Sequence, residues 1–439
     1  MKQTKAGVLL LGLMTFIVYF SCSDSNSSKM SEYDPNKPVE LTRFFPDSGG
    51  ISTKVIIEGA NFGFDTARIQ VYFNEKKAAV VNAQGDKMYV LTPRLPGDTC
   101  EITVKIGDQN VAFPDSFRYK TQLMVSTIAG ARDAGTKFTG GSLATATFGN
   151  IYGLAVDDEG NIFLSMKGDP DGVARVNVEE NTVDWVAGSI PGGDHLQSPM
   201  VDPNTQIVYF PSDRSDFFYE LNPVNLWIPR IRQIGHPSPE DIQSGKKKDF
   251  EINYKHSFAY CPYDGYAYTR STNGKFIKFN LTTREGELVK EDLVKEGEAY
   301  LAFDPLEPHM MYITYDKRHC IYTFNLKTME QNVYAGIPGN PGWRDGKLAD
   351  AEFNTPRQIC FDQSGILYIA DRTNHCIRQI NRDGIVSSIA GTPTKWGQFD
   401  GPPDEAGFDN PRAIAVDKDG NIFIGEDENN RMLRKLTLE

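Results

Sequence analysis

One short pattern recurs six times between residues 153 and 425: an apolar segment, a polar turn and a second apolar segment. Its clearest copies are GLAVDDEGNIFLS at 153–165 and AIAVDKDGNIFIG at 413–425. The other copies begin at Ser198, Phe258, Leu301 and Gln358. Two apolar runs around a turn predict a β-hairpin, and hairpins that recur every 40–60 residues or so predict a repeat fold.

Further strands follow these hairpins. Most copies precede a third segment with basic or aromatic residues, such as CIRQIN, and several precede a fourth that ends in Ala-Gly, such as VSSIAG at 386–391. Four strands in each of six units predict a six-bladed β-propeller. We number these blades one to six in chain order.

The two ends of this repeat region complement each other. Blade six reaches its third segment at RMLRKLTLE, where the sequence stops, and has no fourth segment of its own. VSTIAG, at Val125 to Gly130, precedes blade one and nearly duplicates the fourth segment of blade five. We therefore predict that the Val125–Gly130 strand is the outermost strand of blade six and closes the ring, because an open ring would leave unpaired strand edges.

Residues 39–120 show a different pattern. Short alternating segments such as TKVIIEG, RIQVYF, KMYVL and EITVKIG follow one another with turns between them. Strands of this length and spacing predict an immunoglobulin-like sandwich. The fold class is therefore all-β, with a sandwich followed by a propeller.

Two stretches resemble known families. FFPDSGGISTKVIIEGANFG resembles the IPT/TIG signature, and Thr92-Pro93 stands where that family has its Thr-Pro. The blade five sequence FNTPRQICFDQSGILYIADRTNHCIRQINRDGIVSSIAG resembles the NHL repeat, with Asn374 and His375 at the positions that name it, although Cys376 replaces the usual Leu. The resemblance implies an IPT/TIG domain that serves as a spacer or interaction module before an NHL-type propeller.

The first residues predict export. Lys2 and Lys5 precede an apolar run from Gly7 to Ser21, too short for a membrane span and typical of a signal peptide. Cys22 follows, in a context that resembles a lipobox, although Tyr19 replaces the usual Leu. Lipidation of Cys22 would anchor the chain. The alternative is ordinary secretion with an incidental cysteine.

These patterns divide the chain into four predicted segments: a signal peptide (1–21), a lipidated cysteine and tether (22–37), an IPT/TIG domain (38–120) and the propeller (121–439).

Charge and cysteine content exclude some functions. The net charge of −12 argues against nucleic-acid binding, which needs a basic face. Five cysteines besides Cys22, an odd number without a CxxC pair, predict free thiols that pack mostly as small buried side chains.

Most candidate ligand-binding residues lie in long loops or at the starts of innermost strands, and two follow the second segment of blade five. Segments 131–150, 337–356 and 392–411 are 20-residue stretches without a clear pattern, and loops this long are often functional. Trp343 and Trp396 lie in two of them, and an indole suits stacking on a sugar ring. The alternative is that each tryptophan covers its own loop. The polar candidates are Arg344, Arg357, Asp371, Arg372 and Arg412.

Two of these arginines should lie near the mouth of the central channel. Arg357 and Arg412 each follow the proline that opens an innermost strand. There they could hold a carboxylate or sulfate, or form salt bridges to a neighbouring blade.

A metal site is a minor hypothesis. His195, His319 and His375 are expected on one face, where some NHL-type lyases hold a metal, but His319 and His375 occupy a repeat position with a structural role. No cofactor is predicted.

The whole layout resembles surface lipoproteins that glycan-foraging Bacteroidetes place beside outer-membrane importers. The resemblance implies a lipid-anchored outer-membrane protein at the cell surface, with a carbohydrate ligand and with an importer or neighbouring lipoproteins as partners. Fold alone does not establish this function. The alternatives are a propeller lyase or hydrolase with a metal at the channel mouth, and a protein–protein adaptor.

Overall fold

The computed structural model describes residues 32–50, 53–93, 97–131, 135–191, 195–252, 254–295 and 297–438. The predicted signal peptide and Cys22 lie outside these residues. Among the described residues, no helix is long and apolar enough to cross a membrane. The chain divides into two compact units, 1–121 and 122–439.

The first unit is a β-sandwich. Its strands are β1 (Glu40–Phe45), β2 (Ser48–Gly49), β3 (Lys54–Ala60), β4 (Ile69–Phe73), β5 (Lys76–Ala83), β6 (Lys87–Leu91), β7 (Thr99–Ile106) and β8 (Gln109–Tyr119). They follow the order β1-β3-β6-β5-β4-β7-β8-β2, and β5 pairs with β6 on one side and β4 on the other. Burial alternates along the strands, as in β4, so that Val71, Phe73 and Phe117 fill the core between the layers.

The second unit is the six-bladed propeller. It begins with β9 (Leu123–Ala129). Blade one comprises β10 (Asn150–Val156), β11 (Asn161–Lys167), β12 (Gly172–Asn177) and β13 (Thr182–Gly188). Blade two comprises β14 (Met200–Val201), β15 (Val208–Pro211), β16 (Phe217–Leu221) and β17 (Pro229–Gln233). Blade three comprises β18 (Ala259–Tyr260), β19 (Ala267–Arg270), β20 (Phe276–Phe279) and β21 (Gly286–Lys290).

Blade four comprises β22 (Ala299–Phe303), β23 (Met310–Tyr315), β24 (Cys320–Asn325) and β25 (Glu330–Ala335). Blade five comprises β27 (Pro356–Phe361), β28 (Leu367–Asp371), β29 (Cys376–Ile380) and β30 (Ile385–Ala390). Blade six comprises β31 (Pro411–Val416), β32 (Ile422–Glu426), β33 (Leu433–Leu438) and β9. Blade five has a short additional edge strand, β26 (Gly346–Lys347), beside β30. The short helix α1 (Pro239–Gln243) lies between β17 and β18 and is capped by Ser238.

The predicted closure is confirmed. β9 pairs antiparallel with β33 from Leu433↔Ala129 to Leu438↔Leu123, so the first strand of the unit completes the last blade. Gly130 follows β9 with φ +95°, and a Cβ there would lie 2.6 Å from the Arg431 carbonyl oxygen. Gly391 meets the His375 carbonyl at the same distance after β30. The recurring Ala-Gly therefore marks the point where an outermost strand ends against the third strand.

The propeller core lies between blades. Six apolar clusters each join two adjacent blades, including the pair formed by blades six and one. Val125 belongs to the cluster between blades five and six, and Ala129 to the cluster between blades six and one. All strands of both units lie within 32–438, so this span contains both cores.

The strand order defines two ends of the propeller. The loop face carries the connections from an outermost strand to the next innermost strand, and those between second and third strands. We name three of these connections loop 2/3 (234–258), loop 4/5 (336–355) and loop 5/6 (391–410). The turn face, at the other end, carries the remaining connections.

Candidate ligand-binding site

Loop 4/5 is fixed by a buried arginine. Arg378 on β29 has no exposed side-chain surface and donates to Asp371 at 2.9 Å and to Asp345 at 2.7 Å. Its guanidinium also donates to the backbone carbonyls of Arg344 (2.8 Å) and Glu352 (2.9 Å). Burial raises the pKa of Asp371 to about 6, although Arg378 opposes that shift. Asp371 therefore lies beneath the loop, where it positions Arg378.

Loop 5/6 repeats this arrangement one blade later. Arg434 on β33 donates to Glu426 (3.3 Å) and Asp400 (2.8 Å) and to the carbonyls of Phe399 (2.9 Å) and Gly407 (3.0 Å). Since the bonded carbonyls belong to the loop backbone, each arginine ties its loop to the blade beneath it. Two of the long stretches without a clear sequence pattern, loops 4/5 and 5/6, are therefore each tied down by a buried arginine.

Asn374 joins the two loops. Its side-chain amide donates to the Gly342 carbonyl of loop 4/5 at 2.8 Å. Its backbone carbonyl accepts the Thr394 N–H of loop 5/6, also at 2.8 Å. Trp343 adjoins Gly342, and Trp396 lies two residues after Thr394, so both predicted tryptophans come from loops that meet at the same residue.

These loops expose aromatic side chains. Trp343 is 42% exposed and donates from its indole to Ser388 on β30 at 2.9 Å. Trp396 is 60% exposed, and Phe399, which the sequence analysis did not select, is 64% exposed. Arg344 is half-exposed and pairs with Glu352 at 3.1 Å. We call Trp343, Trp396 and Phe399 the aromatic platform.

The predicted arginines lie at the channel mouth, around a carboxylate that the sequence analysis missed. Glu298, the residue before β22, forms ion pairs with Arg357 and, at 2.6 Å, with Arg412. The Tyr300 hydroxyl donates to the same carboxylate at 2.6 Å. Arg357 also pairs with Asp316 at 3.3 Å. Arg357 of blade five therefore pairs with the adjacent blade four, and Arg412 of blade six shares the carboxylate before β22 with it.

A second acidic group extends this network towards blade six. Asp427 accepts from Arg372 at 3.2 Å and lies 3.5 Å from Arg412. Arg372 also pairs with Glu428, and the Arg412 guanidinium lies 3.7 Å from the centre of the Tyr152 ring. The three arginines of the mouth are thus matched by carboxylates.

The charges at the channel mouth keep Glu298 ionised, and burial keeps Tyr300 protonated. Burial acts to raise the pKa of Glu298, but Arg412 and Arg357 lower it far below its usual range. Burial raises the pKa of Tyr300, which stays protonated and donates. An anionic ligand would have to replace the Glu298 carboxylate to reach the two arginines.

His256, in loop 2/3, faces the same network. It is buried, its Nδ1 has no hydrogen-bond partner among the described residues, and burial together with nearby Arg412 lowers its pKa to about 4. It is therefore neutral in the folded protein near pH 7.

We expect this histidine to make the protein acid-sensitive. The unfolded chain takes up a proton near pH 6.5 and the folded chain only near 4, so stability falls as the pH drops through this window, by roughly 3 kcal/mol from this group. Urea unfolding at pH 7 and pH 5 should show roughly 2 kcal/mol of this loss for the natural protein and a smaller loss for His256→Gln. Equal losses would contradict the assignment.

The three histidines considered for a metal have separate partners. Nδ1 of His319 and of His375 each accepts the backbone N–H of the residue before the next innermost strand, Thr355 (3.1 Å) and Asn410 (3.2 Å). Burial lowers the pKa of both histidines. His195 Nδ1 lies 2.6 Å from Asp171. In the described part of the chain, no group of three or more His, Cys, Asp or Glu side chains is placed to hold a metal ion.

Comparison with known families finds matches for two segments of the chain. Residues 38–119 match the IPT/TIG domain, and residues 353–380 match the NHL repeat. Both resemblances inferred from the sequence are confirmed for these segments. Among curated proteins, 103 residues are 32% identical to Protein SUPPRESSOR OF QUENCHING 1 of Arabidopsis thaliana, and 53 residues are 40% identical to NHL repeat-containing protein 2 of Bos taurus. The matches span only 10% and 7% of those proteins and 23% and 12% of this chain.

Solved structures match the whole two-part architecture. A protein of unknown function from Bacteroides thetaiotaomicron is 26% identical with a TM-score of 0.64, over 93% of this chain and 100% of that one. An auxiliary nutrient binding protein from Bacteroides ovatus is 21% identical with a TM-score of 0.69, over 93% and 100%. Another of that description from Bacteroides thetaiotaomicron is 24% identical with a TM-score of 0.63, over 93% and 99%. The chain shares the fold of these proteins.

Proposed function

We propose that this protein is a lipid-anchored surface protein that binds an oligo- or polysaccharide on the loop face of blades five and six, ahead of uptake. One observation carries the proposal: the aromatic platform is exposed on loops whose backbone carbonyls accept hydrogen bonds from buried arginines. Sugar rings present apolar C–H faces that stack on such side chains. A rigid platform loses little conformational entropy when a ligand binds.

The comparisons support this proposal at the level of ligand capture. Two of the similar structures are described as auxiliary nutrient binding proteins. The Cys22 anchor and the outer-membrane location remain predictions from the sequence, as does a partner importer or neighbouring lipoprotein. The lyase or hydrolase alternative needs an acid–base pair or a metal at the channel mouth, where Glu298, Arg357 and Arg412 instead form matched ion pairs.

A glycan-binding screen tests the proposal. We use the chain from Glu32 onward, which contains both cores, against polysaccharides of different classes. Trp343→Ala and Trp396→Ala should each weaken binding about tenfold or more, the usual effect of removing an aromatic hot spot. The matched control is Tyr263→Ala, because Tyr263 is 52% exposed on the turn face. Calorimetry on the best glycan measures the affinities.

Two outcomes would overturn this function. If neither tryptophan variant weakens glycan binding, the aromatic platform is not part of the binding site. Binding to no glycan class would favour the adaptor alternative, which has its own support in the exposed side chains of Val224, Leu226 and Ile228 between β16 and β17.

A further inference from the structure

The turn-face end of the central channel holds a cavity of about 400 Å³. Every blade contributes an apolar side chain to its wall: Val156, Val201, Tyr260, Phe303, Phe361 and Val416. All but Phe303 are only half-buried, so apolar surface faces the cavity. A cavity of this size falls in the range of roughly 300–1,000 Å³ that small-molecule sites occupy.

Gln358 lines the inner end of this cavity. Its amide oxygen accepts the backbone N–H groups of Leu154 (3.0 Å) and Ile414 (3.3 Å), and its amide nitrogen donates to the Leu154 carbonyl (2.7 Å). One side chain therefore ties blade five to blades one and six across the channel. Arg357, the preceding residue, belongs to the charged mouth on the other side, so the channel has two chemically different ends.

The rim of the cavity is acidic. Asp158 and Asp362 line it, and Asp417 and Lys418 line a smaller adjoining recess. The Lys418 ammonium donates to the backbone carbonyl of Asp158 at 2.8 Å. With Asp157, which also lines the recess, four aspartates and one lysine lie at this end of the channel, so the rim disfavours a negatively charged ligand.

We propose that this cavity is a second binding site, for a small molecule with an apolar body and no negative charge. The apolar walls gain free energy when such a molecule displaces water, at about 25 cal/mol per Å² of buried surface. Because the wall is built from innermost strands of all six blades, the site is formed before the ligand arrives. It lies on the opposite face from the aromatic platform and does not depend on sugar binding.

Alkylation of Cys360 can report whether a ligand occupies this cavity. It lines the cavity and is half-buried, whereas Cys100, Cys261, Cys320 and Cys376 are buried. Burial and the nearby Asp362 raise the pKa of the Cys360 thiol, so alkylation is slow and is best measured at alkaline pH. N-ethylmaleimide should therefore modify Cys360 before the other four.

The test uses two dyes with one ring skeleton, N-phenyl-1-naphthylamine, which is uncharged, and 8-anilino-1-naphthalenesulfonate, which is anionic. In the chain from Glu32 onward, the uncharged dye should bind once per chain and slow Cys360 alkylation about tenfold or more at saturation. The anionic dye should bind about tenfold more weakly. Asp158→Lys should reduce that difference.

Substitutions test whether the uncharged dye binds in this cavity. Ala302→Trp fills the cavity from β22 and should abolish binding, whereas Val333→Trp, on the exposed outermost strand of the same blade, should not. Trp343→Ala should leave dye binding unchanged, which separates this site from the sugar site. Cys360 alkylation unaffected by the uncharged dye would overturn the proposal even if Ala302→Trp failed to fold. Equal affinities for both dyes would overturn its charge selectivity.

Discussion

A chain that begins at Ala131 should melt at least about 10 °C below a chain that begins at Gln122, because it lacks the strand that completes blade six. In the intact propeller β9 pairs with β33 along its whole length, and Val125 and Ala129 are buried in two different interblade clusters. Without β9, blade six has three strands and β33 becomes an unpaired edge. Both chains lack the first unit, so the comparison isolates residues 122–130.

A point substitution in the longer chain separates closure from chain length. Val125→Asp places an unpaired charge at a fully buried position and should cost about 3 kcal/mol or more. Ser126→Asp, on the same strand at a half-buried position, is the control and should cost far less. Calorimetric scans measure all four proteins. Similar melting temperatures for the Gln122 and Ala131 chains would show that closure contributes little.

Closure also connects to the proposed sugar site. Asp400 of loop 5/6 accepts from the backbone N–H and hydroxyl of Thr127 on β9, both at 2.9 Å. Val125 also exchanges backbone hydrogen bonds with Gly401. Loss of β9 therefore removes contacts that hold the loop carrying Trp396 and Phe399, and sugar binding should weaken together with stability.

The ring and its closure could be predicted because they depend on local patterns. Each hairpin has its own alternation and turn, and the repeated VSTIAG and VSSIAG showed which strand blade six lacked. The edge strand β26 was not predicted, because two residues within a Gly-rich loop carry no recognisable pattern.

The candidate site was only partly predictable, because its contacts join distant residues. Trp343 and Trp396 stood out by residue type, and Arg357 and Arg412 by their place after prolines. Glu298 could not be found in this way, since it lies 114 positions from Arg412 and nothing in its neighbourhood marks it. Asp371 is an acidic residue at the end of an apolar segment, but only the structure shows that its side chain turns inward to Arg378.

Removing the Glu298 carboxylate should destabilise the propeller strongly. It shares its carboxylate between Arg357 and Arg412, both of which are buried. Glu298→Ala leaves these cations with no carboxylate nearer than Asp316 and Asp427, at 3.3 and 3.5 Å, and should lower the free energy of unfolding by about 3–5 kcal/mol. The control is Glu307→Ala in the same blade, because Glu307 is exposed and pairs with Arg382 only at 3.8 Å.

The loss of stability caused by Glu298→Ala should become smaller as the pH falls. Since the folded pKa of Glu298 is held well below its ordinary value of 4.5, its contribution is fully present above that pH and is lost as the pH falls below it. Urea unfolding should therefore separate the natural protein and the variant most at neutral pH and least in strong acid. A difference that stays constant from pH 7 to pH 3 would show that lost packing, and not lost charge, causes it.

Adding an anion tests more directly whether Glu298→Ala destabilises the protein because two arginines lose their carboxylate or because packing is lost. Glu298→Ala removes the carboxylate and leaves space beside two guanidinium groups and the Tyr300 hydroxyl, which together match a small carboxylate. Acetate should therefore raise the melting temperature of Glu298→Ala more than that of the natural protein or of Glu307→Ala. Equal shifts in all three would mean that the two arginines do not form an anion site. A selective shift would show that Glu298 occupies, within the folded chain, a place that can hold a small anion, one of the two roles that the sequence left open for these arginines.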